Sequence, residues 1–348
     1  MQELRLGTRG SQLALWQANA VASRIAAAGG PRCRIVIIKT SGDRLQEAPL
    51  SESGGKRLFV KEIEDALACG DIDLAVHSSK DMPAVLPPGL TIGGVLPRDD
   101  PHDVIVLPQT FRRKRDTAEA TAAVGSRSGG TAGTIEQLVT LLGPSPSLGT
   151  GSVRRIAQLR RVLPGARFTP VRGNLDTRLR KLDQGEHDAI VLAAAGLCRL
   201  GFASRISLTL PASVCVPAPG QGIVSIEIRG DDEGARRAVA AIDDPTTGAA
   251  LRAERALVEA LGGGCQTPIG ALASPLEGEE IELVAVVVAV DGSRAIRGQA
   301  RGTRSDAAAI GARVGAELLA DGADEILAEA HSHPSSLASR RSAAMTDD

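Results

Sequence analysis

Aromatic residues are almost absent from this chain, which has no tyrosine, one tryptophan (Trp16) and four phenylalanines among 348 residues. Its cores must be aliphatic, and stacking platforms for single-stranded nucleic acid are not expected. A surplus of one charge is missing too. Forty Lys and Arg face 41 Asp and Glu, a formal net charge of −1, which lacks the electrostatic footprint of a nucleic-acid partner. No run approaches the roughly 20 apolar residues that cross a bilayer, and Met1-Gln2-Glu3-Leu4-Arg5 lacks the apolar segment of a signal peptide. The expectation is a cytoplasmic protein without a membrane partner. Five cysteines (Cys33, Cys69, Cys198, Cys215, Cys265) are odd in number, widely spaced and free of any CxxC pair, which disfavours disulfides and zinc, so no metal is expected.

What is present is aliphatic and unevenly charged. A hydrophobic content of 43% over this length can fill two or three domain cores. Between Gly149 and Lys181 stand eight arginines (Arg154, Arg155, Arg160, Arg161, Arg167, Arg172, Arg178, Arg180) and Lys181 against one acid, Asp176. A solvated basic face is the plain reading of such a run. Local punctuation favours an anion site instead. Gly149-Thr150-Gly151-Ser152 leads into Val153–Leu163, where Ile156, Leu159 and Leu163 recur at helical spacing, so a glycine turn opens a helix N-terminus. Arg172-Gly173-Asn174 opens a second helix with Arg178 one turn in.

Along the chain, helix Gln12–Ala28, strand Arg34–Ile38, helix Val60–Ala68 and strand Ile72–Val76 alternate as in a parallel α/β sheet. A second α/β block has strands Val104–Leu107 and Asp188–Leu192, and helices Thr134–Leu142, Val153–Leu163 and Leu175–Gln184. Pro97-Arg98-Asp99-Asp100-Pro101 leads into it and Pro217-Ala218-Pro219-Gly220-Gln221-Gly222 leads out, two crossings between neighbouring lobes. Strand Ile223–Ile228 then rejoins the first lobe. From Pro245 the pattern becomes a helix to Leu261, a hairpin around Asp291-Gly292, and helices beyond Ser305. The expected fold class is α/β with three domains. Residues 1–97 with 222–243 and residues 98–221 form two periplasmic-binding-protein-like lobes joined by two crossings. Residues 244–330 form a C-terminal α+β domain with a small antiparallel sheet, and 331–348 a disordered tail. Much of Pro108–Gly133 also reads as unstructured.

Three segments carry candidate chemistry. His77-Ser78-Ser79-Lys80-Asp81 follows a strand end, where open α/β sheets bind ligands. An ionised Asp81 there can hold developing positive charge; a surface Lys-Asp pair is the plain alternative, and His77 reads as structural. Gly262-Gly263-Gly264-Cys265 exposes a thiol on flexible backbone, while the other four cysteines read as apolar filler. Gly7-Thr8-Arg9-Gly10-Ser11 before the Trp16 helix can receive an acid group or be a simple cap. Gly54–Phe59 reads as a mobile basic loop.

Together these segments resemble the porphobilinogen deaminase (hydroxymethylbilane synthase) family from about Leu4 to Ala330. The shared stretches are GTRGSQLALWQ, GGKRLFVKEIE, DLAVHSSKDMP, GTGSVRRIAQL, RGNLDTRL, DAIVLAAAGLCRLG, PAPGQG and GGGCQTPIG, in the family's order. The resemblance implies a cytoplasmic monomer that condenses four porphobilinogen molecules into linear hydroxymethylbilane, a haem precursor, on a dipyrromethane cofactor. It implies that Cys265 carries that cofactor as a thioether and that Asp81 is catalytic. Ser11, Lys80, Asp81, Ser152, Arg154, Arg155, Arg172 and Gly173 would contact the cofactor. Arg9, Ser11, Gln17, Arg172, Arg178 and Arg199 would bind substrate, and Lys56 and Phe59 would belong to an active-site loop. Glu52, Arg57 and Gly151 depart from the commonest family pattern, and Pro108–Ser147 is longer than usual. Two lobes with two crossings also describe solute-binding proteins, which are usually exported.

Overall fold

Short apolar runs bounded by Gly, Pro and Asp form strands, and segments of helical periodicity form helices. The computed structural model describes residues 3–44, 60–110, 135–263 and 267–332. In chain order come β1 (Leu4–Thr8), α1 (Gln12–Ala27), β2 (Cys33–Ile37), α2 (Ser41–Arg44), α3 (Lys61–Ala68), β3 (Leu74–Ser78) and β4 (Leu90–Val95). Next are β5 (Asp103–Val106), α4 (Ile135–Leu142), β6 (Ser147–Gly149), α5 (Val153–Val162), β7 (Arg167–Thr169), α6 (Leu175–Asp183), β8 (Ala189–Ala193), α7 (Ala194–Arg199) and β9 (Leu208–Leu210). The chain closes with β10 (Val224–Arg229), α8 (Glu233–Ala240), α9 (Pro245–Ala260), β11 (Ile269–Pro275), β12 (Glu280–Val288), β13 (Ala295–Thr303), α10 (Ala307–Ala320) and α11 (Ala323–Ser332).

The first sheet has the order β2-β1-β3-β10-β4 and the second β7-β6-β8-β5-β9. Neither is wholly parallel, as the alternation of strands and helices suggested. β10 runs antiparallel to β3 and β4, and β5 antiparallel to β8 and β9, because each of these strands enters its sheet from a crossing rather than from a helix on the sheet face. The chain leaves the first sheet after β4 and returns at β10. A third sheet, β11-β12-β13, is an antiparallel meander rather than a lone hairpin, since Ile269–Pro275 adds a strand that sequence patterning passed over.

Helix starts follow capping chemistry. Asp244 accepts the Thr247 N–H at 2.7 Å and Pro245 takes the first turn of α9, where a missing N–H is harmless. Aliphatic residues such as Leu6, Ile25 and Leu74 under the first sheet and Leu148, Leu159 and Leu163 under the second are wholly or almost wholly buried. Each contributes roughly 1.5–3 kcal/mol. Where aromatics are lacking, small residues bring backbones close: a Cβ on Gly311 of α10 would strike the Ala253 carbonyl of α9.

The two crossings and the third sheet's helix meet at one buried junction. Arg98 Nη1 donates to Glu254 Oε1 on α9 at 2.6 Å, and its Nε donates to the Gln221 carbonyl at 2.9 Å. Glu254 in turn accepts the Gly220 N–H at 2.6 Å and the Ala273 N–H at 2.7 Å. Among the described residues no helix is long and apolar enough to cross a membrane. Helix α11 continues through Ser332, past the expected end of structure at 330; residues 333–348 and most of the long segment, 111–134, lie outside the described residues.

Candidate active site

Strand ends of the first sheet supply one wall. β1 stops at Thr8, the chain turns through Arg9 and Gly10, and Ser11 Oγ accepts the Ala14 N–H at 3.3 Å to start α1. β3 runs two residues further than the apolar run Ile72–Val76 indicated, so His77 and Ser78 are strand residues. Pairing with β10 extends it (Val224 opposite Ser78, Ser225 opposite His77). A single 3-10 turn, Ser79–Asp81, follows. Ser79 Oγ lies 2.6 Å from Ser225 Oγ and donates to the Ile223 carbonyl at 3.1 Å, which fixes the turn that presents Lys80 and Asp81. Arg9, Ser11, Gln17, His77, Ser78 and Asp81 line one open cleft.

The second sheet supplies cations. Ser152 caps α5 by accepting the Arg155 N–H at 3.4 Å, and the first turn of that helix carries Arg154 and Arg155. Both point into the protein and grip Asp103, which is fully buried at the start of β5. Arg154 Nη1 is 2.6 Å from Oδ2, and Arg155 Nε and Nη2 are 3.0 and 2.8 Å from Oδ1. Arg154 also donates to the Val216 carbonyl and Arg155 to that of Val191. Gln221 Nε2 donates to Asp103 Oδ1 at 2.9 Å, and the Cys215 thiol donates to Asp103 Oδ2 at 3.3 Å. Burial opposes charge on Asp103, but the two guanidiniums outweigh it and hold its carboxyl well below the usual carboxylate range. Burial and Asp103 push the Cys215 thiol up to about 12.

Groups from the two sheets act on one another. Burial lowers Lys80 to about 8, with Asp81 opposing and Arg155 assisting, and its Nζ lies 3.4 Å from Gln221 Oε1. Burial lowers Arg178 to about 10, with Arg155 and Arg172 assisting and Asp81 opposing. Gly173 adopts φ +104°, and its carbonyl accepts Arg178 Nε at 2.8 Å. Asp81 therefore lies in the field of Lys80 and Arg178, on which Arg155 also acts. Gln17 is 3% exposed and its Nε2 has no hydrogen-bond partner, an orphan donor in the cleft wall.

Other members of the arginine run face elsewhere. Arg160 and Arg161 hold the carbonyls of Val290 and Gly292 at the β12–β13 turn, and Arg167 and Arg180 are exposed. Arg199 donates to Asp99 at 2.6 Å and to the Gly222 carbonyl at 2.7 Å, and lies over Trp16 with its Cζ 5.5 Å from the ring centroid. It binds the two crossings to α1. Cys265, Lys56 and Phe59 lie outside the described residues, as do Glu52 and Arg57. Sequence reasoning gave Asp103 no role, read Gln221 only as part of a crossing and Cys215 only as apolar filler; the one available signal for Asp103 was an acid at the lip of the apolar run Val104–Leu107. Convergent buried cations, orphan Gln17 and helix starts fit a ligand with many carboxylates, as a dipyrromethane bearing acetate and propionate groups would be.

Comparison with known proteins adds the lineage. A family model described as "Porphobilinogen deaminase, dipyromethane cofactor binding domain" matches residues 4–237, and "Porphobilinogen deaminase, C-terminal domain" matches 249–320. The porphobilinogen deaminase of Geotalea daltonii is 40% identical over 332 residues, covering 95% of this chain and 96% of its own. Those of Syntrophobacter fumaroxidans and Moorella thermoacetica are 42% and 43% identical, each covering 94% of this chain and 97% of its own. Among solved structures, an ancestral cationic amino acid solute-binding protein aligns at TM-score 0.39 and 15% identity over 68% of this chain and 88% of that one, a likeness too loose to carry an argument. With both family models and relatives spanning nearly its whole length, the chain belongs to the porphobilinogen deaminase family.

Proposed function

We propose that the cleft beside Asp81 carries out the family's reaction, joining four porphobilinogen molecules head to tail into linear hydroxymethylbilane with release of ammonia. The chain is an enzyme of tetrapyrrole biosynthesis with a dipyrromethane cofactor-binding domain. The observation that supports this site assignment is that the carboxylate of Asp81 acts on two buried cations, Lys80 beside it and Arg178 from the second sheet's α6. The dipyrromethane, held by a thioether to Cys265, supplies the ring carbon to which substrate is added.

Each chain residue then has a physical task. Asp81 accepts the pyrrole N–H of bound porphobilinogen and stabilises the positive charge that develops on that ring as its aminomethyl nitrogen departs. Fixed in its turn by Ser79, it needs little reorganisation. Lys80, Arg172 and Arg178, with Arg9, Ser11, Ser152 and Gln17, hold acetate and propionate groups of cofactor and substrate. Arg154 and Arg155 turn much of their donor capacity on Asp103, so they fix the α5 N-terminus and its field as well as any ligand carboxylate. Arg199 sets the crossings against α1.

The domain division 1–97 with 222–243, 98–221 and 244–330, and a cytoplasmic monomer, complete the reading. Intact-mass measurement of denatured protein tests it: an adduct of dipyrrole size should resist thiol reductant and vanish in Cys265→Ser. Asp81→Ala should retain that adduct and lose at least about a hundredfold in kcat. Normal turnover by Asp81→Ala would refute the assignment.

A further inference from the structure

The helix that leads to Cys265 also reaches back to the turn that carries Asp81. Arg255 on α9 donates from Nη2 to the Ala84 carbonyl at 2.6 Å, across 171 positions of sequence. Its neighbour Glu254 accepts the Gly220 N–H at 2.6 Å. Gly220, at φ +73°, is pressed against the start of the same turn: a Cβ there would lie 2.8 Å from Ser79 Cβ and 3.1 Å from the Lys80 nitrogen. Two consecutive residues of one helix therefore hold the span Ser79–Ala84 at both of its ends, Glu254 through Gly220 and Arg255 directly. Inside that span the Met82 N–H donates to the Ser79 carbonyl at 3.2 Å, the Met82 side chain is buried, and the ring of Pro83 fixes one backbone angle.

Helix α9 is docked by other means than Arg255. Leu251 shares a small buried core with Val95 and Ile223 of the first lobe, and Thr247 Oγ1 accepts the Arg98 N–H at 3.0 Å. At the far end of the helix the N–H groups of Gly262 and Gly263 donate to the Glu259 and Val258 carbonyls, each at 3.0 Å, two and three residues before Cys265 in sequence. The stretch that Arg255 grips has less support, since Val85 beside it is 65% exposed. Loss of the Arg255 bond therefore frees the exit of the Asp81 turn while α9 stays in place. We propose that Arg255 is a positioning residue for Asp81: it ties the carboxylate that serves each condensation to the helix that leads to the cofactor cysteine. The anchor of the growing chain and the group that acts on each new ring then share one support. Arg255 acts through Asp81 and not on the reacting atoms.

This inference rests on the catalytic role proposed for Asp81, so its test is a double-mutant cycle on the full holoenzyme that includes Asp81. A misplacement of about 1 Å can cost roughly a hundredfold in rate. Arg255→Leu, which removes one of two holds, should lower kcat roughly tenfold, leave KM for porphobilinogen within about twofold of wild type and retain the dipyrrole adduct in intact mass. In the Asp81→Ala background the same change should have no further effect on kcat, because the group being positioned is gone. Arg297→Leu is the control for a lost bond as such: Arg297 Nη2 donates to the Ser213 carbonyl at 3.0 Å, joining the third sheet to the second lobe. Its kcat should stay within about twofold of wild type. An unchanged kcat in Arg255→Leu, an effect carried by KM, or a loss that multiplies in full with that of Asp81→Ala overturns the proposal. Should Arg255→Leu not fold, Arg255→Gln, with its shorter amide, enters the same cycle and is read the same way. Normal turnover by Asp81→Ala would sink the catalytic reading and this inference with it; a defective Asp81→Ala beside a fully active Arg255→Leu would overturn this inference alone.

Discussion

Replacing Asp103 with asparagine conserves shape and removes one charge, which makes it a direct test of how the α5 arginines are held. Arg154 and Arg155 have side-chain exposures of 5% and 8%, and Asp103 is the carboxylate that pairs with both. Breaking a buried pair by removing one partner costs about 3–5 kcal/mol, because the remaining charge has neither water nor counter-ion. In Asp103→Asn two guanidiniums are so stranded, and the new amide directs N–H groups toward one of them. With about 2–4 °C per kcal/mol for a unit of this size, the melting transition should fall by about 10 °C. Asp99→Asn is the control: that carboxylate is 44% exposed, so loss of its pair with Arg199 should shift the melt by no more than about 3 °C. The pH dependence has a definite sign. A carboxyl depressed in the folded state contributes stability that is present above its ordinary value near 3.9 and lost as pH falls through its folded value. The gap between wild type and Asp103→Asn should therefore be constant from pH 8 to 5 and narrow only below about pH 4. An Asp103→Asn melt within 2 °C of wild type at neutral pH would refute the account, as would a gap that closes between pH 8 and 6.

Three further outcomes are expected. Lys80 is cationic below about 8 and neutral above, so KM for porphobilinogen should rise between pH 7 and 9, and Lys80→Arg should flatten that rise; superimposable profiles would remove Lys80 from carboxylate binding. Gly173→Ala forces a side chain into φ +104° with its Cβ 2.8 Å from Thr177 Cγ2, so it should destabilise by roughly 1–3 kcal/mol in urea melts and raise KM severalfold by displacing the carbonyl that holds Arg178. Trp16 is the lone indole in a chain without tyrosine, so its emission reports one place; added porphobilinogen should change it, and Arg199→Leu should abolish the change.

The parts of this protein that could be read from sequence are those whose signal is local. Glycine turns before periodic helices announced the starts of α1, α5 and α6, and Asp81 and Lys80 followed a recognisable strand. What escaped was long-range. Nothing local tells that β10 enters antiparallel, that β3 is lengthened by its pairing, or that Ser79 is fastened by Ser225, 146 residues away. Charge density also misled. Arg160 and Arg161 belong to the same run as Arg154 and Arg155 but, lying one to two turns along α5, point to the β12–β13 turn. Arg199 entered the expected substrate set through the family resemblance alone, and nothing local told that its donors reach Asp99 and Gly222. Asp103 was hidden because an acid at a strand lip is ordinary until its partners are known.

The grip of α5 on that turn has a bearing on protein engineering. A tight hairpin tip is ordinarily where a chain accepts an inserted peptide or new termini. Here Gly292 is pressed so closely on α5 that a Cβ would lie 2.9 Å from that of Arg160, while two guanidiniums clasp the carbonyls beside it. A tag or circular-permutation cut is better placed at exposed Gly29 in the turn between α1 and β2, where an added Cβ meets nothing within 4 Å.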